Sequence, residues 1–133
     1  MNSLLMRCAA ARIAASMALC AAVAGAAAGT PVHNLFLTDA RDIADASAVN
    51  RALTVVSNDA ARCRRSGGGV QACACRPTAG LRALRSAVDT AAARHPSWNT
   101  DDTFVNYTDP ANGLSVATSL PGLARQLASC SKP

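Results

Sequence analysis

Four cysteines constrain this chain more than any other feature. Between Cys63 and Cys75 it reads Cys-Arg-Arg-Ser-Gly-Gly-Gly-Val-Gln-Ala-Cys-Ala-Cys, and Cys130 stands close to the C-terminus. Cys73 and Cys75 are two residues apart, too close to bond each other without strained geometry. Cys63 therefore pairs with Cys73 or Cys75, and Cys130 with the other. The preferred arrangement is Cys63–Cys73 with Cys75–Cys130. In the chain-entropy account such bonds contribute about 3 kcal/mol for the short loop and about 4 kcal/mol for the long one. That is comparable with the net stability of a small domain, about 5–15 kcal/mol.

Whether the thiols oxidise depends on compartment. Met1 to Arg12 carries Arg7 and Arg12 and no acid, Ile13 to Val23 is apolar, and Ala24-Gly25-Ala26 and Ala26-Ala27-Ala28 are small-x-small sites. This is the layout of a secretory signal peptide over 1–28. The apolar run is too short and Ala-rich for a spanning helix. A lipoprotein signal at Cys20 is the weaker alternative, because Leu19 is a poor residue before a lipidated cysteine. Cleavage removes Cys8 and Cys20 and leaves one small domain, 29–133, with an even set of cysteines. An even set in an exported chain favours disulfides. The formal net charge falls from +5 to near +3. That mild balance, together with export, argues against nucleic acid. Abundant Ala, Arg for almost every cation and Asp for every acid suggest a GC-rich bacterial source. The expected location is periplasmic or secreted.

Two helical stripes flank the cysteine stretch. Thr38 is the expected N-cap of the first, with Asp39 and Asp42 in its first turn and Leu37 as a hydrophobic staple. Ile43, Ala46, Val49, Leu53, Val56, Ala60 and Cys63 step by three and four, so Cys63 ends the buried face. Gly67-Gly68-Gly69 stops this helix. The second opens at Pro77-Thr78, follows Leu81, Leu84, Val88, Ala91 and His95, and stops before Pro96. Its outer side carries Arg82 and, one turn apart, Arg85 and Asp89. Thr103 to Thr108 and Leu114 to Leu120 read as two strands around the turn Asp109-Pro110-Ala111-Asn112-Gly113. Pro121 suits the first position of a last helix whose inner face holds Leu123, Leu127 and Cys130. The expected fold is mainly α: about three helices, a β-hairpin between helices 2 and 3, and two disulfides.

No catalytic or cofactor motif stands out. Redox chemistry at Cys73-Ala74-Cys75 is the enzymatic alternative, since Arg64, Arg65, Arg76 and a helix start could lower a thiol pKa. The usual two-residue spacing and a βαβ setting are missing. Zinc needs paired short-spaced ligands, and Cys130, His33 and His95 are scattered. His95 is a candidate general base but has no nucleophile beside it in sequence. Arg62, Arg64, Arg65, Arg76, Arg82 and Arg85 concentrate positive charge near the staple. They form either a solvated face or a surface for an acidic protein or cell-envelope partner. Trp98, Phe104 and Tyr107 are expected to fasten the hairpin to the helices. Trp98 and Tyr107, with Arg64, Arg65 and Arg76, are also the candidate binding residues. Asn106-Tyr107-Thr108 matches a glycosylation acceptor, which a bacterial setting discounts.

The order Cys63, Cys73-Ala74-Cys75, His95-Pro96-Ser97-Trp98, Tyr107, Leu120-Pro121-Gly122-Leu123 and Cys130 resembles that of small uncharacterised exported proteins of proteobacteria. The likeness spans about the last two thirds of the chain after cleavage. It implies export, paired cysteines and one compact domain, and it brings no activity or substrate. A non-enzymatic binding or accessory protein, inhibitor- or immunity-like in one form, is the functional expectation.

Overall fold

Thr38 does not cap the first helix. In the computed structural model, which describes residues 31–131, Asp39 does: its side chain accepts from the N–H groups of Arg41 and Asp42. The expected signal peptide, with Cys8 and Cys20, and Lys132 lie outside the described residues. Helix α1 runs Ala40–Arg65 and buries Ala46 and Val49. Farther along the stripe Leu53, Val56, Ala60 and Cys63 are only half-buried.

The end of α1 is a Schellman motif. The Gly68 N–H donates to Cys63 O and the Gly67 N–H to Arg64 O, with Gly67 at φ +89°. Gly69 then leads into a helix absent from the sequence reading, α2 at Val70–Ala74. It turns the expected loop into a short helical arm carrying Cys73. Helix α3, Ala79–Arg94, is capped by the Thr78 side chain accepting from the Leu81 N–H. It buries Leu81, Leu84, Val88 and Ala91 as the periodicity requires. After His95, a 3-10 turn over Pro96–Trp98 drives the indole into the core.

The sheet has three strands, not two. The lead-in contributes β1, His33–Phe36, pairing parallel with β2, Thr103–Thr108, with His33 opposite Thr103. Strand β3, Ser115–Thr118, returns antiparallel and is shorter than expected, and Gly113 takes φ +70° in the turn. Alternation in β2 sends Thr103, Val105 and Tyr107 inward and leaves Phe104 exposed. Helix α4, Leu120–Ser129, has Ser119 as its cap and Pro121 in its first turn. Among the described residues the architecture is mainly α: four helices, a small sheet and two disulfides.

One core joins both layers. Leu37, Val49, Leu84, Val88, Trp98, Val105, Leu120 and Leu127 all belong to it. Two hydroxyls inside are unsatisfied: Ser47 Oγ and Tyr107 Oη are buried without a hydrogen-bond partner among the described residues. Burial pushes the Tyr107 phenol above its usual 10.0. Ser47 lies near enough to oppose that rise, yet the two oxygens do not meet in an aligned bond. An unpaired buried hydroxyl costs about 1–3 kcal/mol. Tyr107→Phe, which keeps the ring, is therefore expected to raise stability by about 1 kcal/mol in urea unfolding. A loss of that size would instead place a bond between the two hydroxyls.

Candidate functional site

The Cys-Ala-Cys motif is split between two cross-links. Cys63 bonds Cys73 with Cα atoms 5.5 Å apart, and Cys75 bonds Cys130 with Cα atoms 4.9 Å apart. The first holds α2 against the end of α1. The second ties the residue after α2 to the end of α4. Cys73 and Cys75 thus do not form a couple with each other, and Cys73 is buried. Arg85 reinforces the second tie. Its guanidinium donates to Leu127 O at 3.2 Å and Ser131 Oγ at 3.1 Å, where the sequence suggested a pairing with Asp89.

Gly68 sits against the first cross-link. A Cβ there would lie 2.7 Å from Cys63 Sγ, nearer still to Cys73 Sγ, and 3.1 Å from Cys63 O. Gly68→Ala must shift sulfur or backbone and is expected to lose about 2 kcal/mol. The loss should shrink when Cys63 and Cys73 are both alanine, a non-additivity that a double-mutant cycle in urea measures directly.

The arginines divide by what they touch. Arg62 pairs with Asp59, and Arg85 is used as above. Arg64, Arg65, Arg76 and Arg82 are exposed and make no ion pair with any described residue. Part of the Arg64–Arg65 placement is explained by the negative end of the α1 dipole. Arg62 and Arg76 line a groove of about 450 Å³ with Asp59, Ser66, Thr78 and the Cys63–Cys73 bridge. A second, apolar groove of about 320 Å³ runs between α1, α2, α3 and α4 beside Cys75–Cys130. Val56 and Ala74 form a wall of both.

The aromatic candidates are corrected. Trp98 and Tyr107 are 3 % and 5 % exposed, so neither ring offers a face to a ligand. They fasten the sheet and the 3-10 turn to the helices, and the aromatic exposure falls on Phe36 and Phe104. Phe36 lay in a lead-in to which sequence assigned no strand, so only the strand pairing could have singled it out.

His95 is an interhelical tie. Its Nε2 donates to Asp45 Oδ2 at 2.9 Å, and its ring stacks on Trp98 with centroids 3.7 Å apart. Asp45 Oδ1 also accepts from Arg94 at 2.9 Å, and Asp42 lies 3.8 Å from Nδ1. The hydrogen bonds of the ring go to no hydroxyl or thiol among the described residues. The His95 bond holds the Asp45 carboxyl below its usual 3.8 against the opposing cost of burial, and the Arg94 charge adds a smaller pull in the same direction as the bond. A lowered folded-state pKa stabilises the fold above the unfolded value and loses that contribution as pH falls through the folded one. Asp45→Asn should therefore cost about 1.5 kcal/mol near neutral pH, the lower end for bonds to a charged group. The gap to the parent should narrow below pH 3.8, as measured by urea unfolding across that range.

Among the described residues no cluster of three His, Cys, Asp or Glu could hold a metal ion, and no helix is long and apolar enough to cross a membrane. The fold and its surface define a doubly cross-linked, mainly α domain with a basic corner. The chain matches no family model, no curated protein and no solved structure.

Proposed function

We propose that this is an exported, non-enzymatic binding or accessory protein, periplasmic or secreted, in the manner of an inhibitor or immunity protein. The observation behind the reading is the corner where α1, α2 and α3 meet. There Arg64, Arg65 and Arg76, with Arg82 one turn into α3, are exposed without carboxylate partners among the described residues, on backbone fixed by two disulfides. Guanidinium forks on a rigid base lose little freedom when they meet carboxylates or phosphates. The partner is accordingly an acidic protein or an anionic component of the cell envelope. The two disulfides fit an oxidising compartment, and the signal-like N-terminus and the resemblance to exported proteobacterial proteins support the same location.

The test is capture of partners from periplasmic extract by the parent and by Arg64→Ala/Arg65→Ala. Loss of one defined partner in the variant, with unchanged thermal unfolding, supports the basic corner; equal recovery removes it. Thiol-disulfide exchange at Cys73-Ala74-Cys75 is the competing class. Thiol titration during mild reduction separates the two. Slow reduction without a low-pKa thiol excludes exchange, whereas rapid reversible reduction of one bond would overturn the binding reading.

A further inference from the structure

The apolar stripe of α1 is left incompletely covered. Ala46 and Val49 are buried, but Leu53, Val56 and Ala60, spaced on the same face, are half-buried and form one side of the apolar groove. Leu84, Leu123 and Leu127 form much of the rest, with the Cys75–Cys130 bridge at its end. The groove abuts the basic one at Val56 and Ala74. Arg62 and Arg76 stand there against one carboxylate, Asp59, which is already paired with Arg62. An apolar groove and a cationic groove that meet at Val56 and Ala74 suit a molecule that is apolar along one part and negative at its end.

We infer that the paired grooves bind a single-chain anionic amphiphile, its acyl chain along Leu53, Val56, Leu84 and Leu127 and its headgroup at Arg62 and Arg76. The apolar groove, about 320 Å³, is at the small end of the ~300–1,000 Å³ of small-molecule sites. One chain suits that space better than the two chains of a membrane phospholipid. Ser66 and Thr78 add hydroxyls at the mouth. The two disulfides hold α2 and the end of α4 in place, so the groove is preformed and ordering costs on binding are small. This inference rests on the binding-protein reading and names a ligand for the grooves that share Arg76 with the basic corner.

The experiment titrates the purified, oxidised exported protein calorimetrically with laurate, with dodecyltrimethylammonium and with a neutral alkyl glucoside, each below its micelle concentration. Saturable binding of one laurate is expected, with the cationic chain at least about tenfold weaker because it meets Arg62 and Arg76. Arg62→Gln/Arg76→Gln should weaken laurate by about tenfold and leave the neutral chain nearly unchanged. Ala60→Leu, which fills the apolar side, should weaken all three. Because the ligand series needs no variant, a poorly folding substitution does not blunt the test. No saturable laurate binding, or equal binding of the anionic and cationic chains, overturns the inference. So does laurate failing to compete with a captured protein that protects groove amides from hydrogen exchange; the groove then takes a partner's side chain. Loss of the partner in Arg64→Ala/Arg65→Ala with laurate binding intact leaves both readings standing, and laurate binding without any partner loss removes only the protein-docking surface.

Discussion

Replacing Cys75 and Cys130 together by alanine is expected to lower the unfolding free energy by about 4 kcal/mol, the chain-entropy value for a loop of this length. The bond spans a sequence separation of 55, whereas Cys63–Cys73 spans 10 and should cost about 3 kcal/mol when removed. The two losses also differ in kind. Cys63–Cys73 closes a loop whose ends the Schellman motif already brings near each other. Cys75–Cys130 is the only disulfide among the described residues that ties the end of α4 to the rest of the fold. Without it, that end is held by the Arg85 bonds to Leu127 and Ser131 and by burial of Leu123 and Leu127. Hydrogen exchange should therefore rise first in the last turn of α4 and in α2. Urea unfolding of the variant, beside the parent with and without reductant, gives the magnitude. A loss below about 1 kcal/mol would mean that side-chain packing alone docks α4, and the staple would no longer explain the fold.

Helix periodicity and the cysteine spacing were readable because both are local. Leu81, Leu84, Val88 and Ala91 all fall on the buried face of α3, and the preferred disulfide pairing is the one observed. What local pattern could not show is pairing at a distance. Strand β1 is a stretch of His, Asn, Leu and Phe without alternation, and it is a strand only because β2, some 70 residues on, pairs with it. Helix α2 follows three glycines and is too short to display a period; Cys63–Cys73 gives it a wall to form against. Thr38 and Asp39 are both good caps, and composition does not choose between adjacent candidates.

Arginine clustering was visible, but which guanidiniums are committed was not. Arg85 reaches a carbonyl 42 residues away in sequence, so it left the free set only once α3 and α4 had docked. Trp98 and Tyr107 were candidates by residue type alone. Tyr107 alternates inward with Val105, and the turn begun by Pro96 buries Trp98. The apolar groove has no signature in one segment, since its walls come from all four helices together.

Trp98→Ala is expected to cost about 3–5 kcal/mol, a large share of the about 5–15 kcal/mol net stability of a small domain. The indole is 3 % exposed and packs where α3, the 3-10 turn and β2 meet. Elements of secondary structure surround it, so much of the cavity term is expected to remain. The substitution also removes the surface on which His95 stacks, worth about 0.5–1.5 kcal/mol for aromatic pairs. His95 then keeps only its bond to Asp45, and the tie between α1 and the end of α3 loosens. Trp98→Phe keeps a stacking ring and should lose less than half as much. The decisive comparison is Asp45→Asn in the parent and in the Trp98→Ala background. If the indole orients the imidazole for Asp45, the second loss is smaller than the first. Equal losses would separate the stack from the ion pair and leave Trp98 as filling alone.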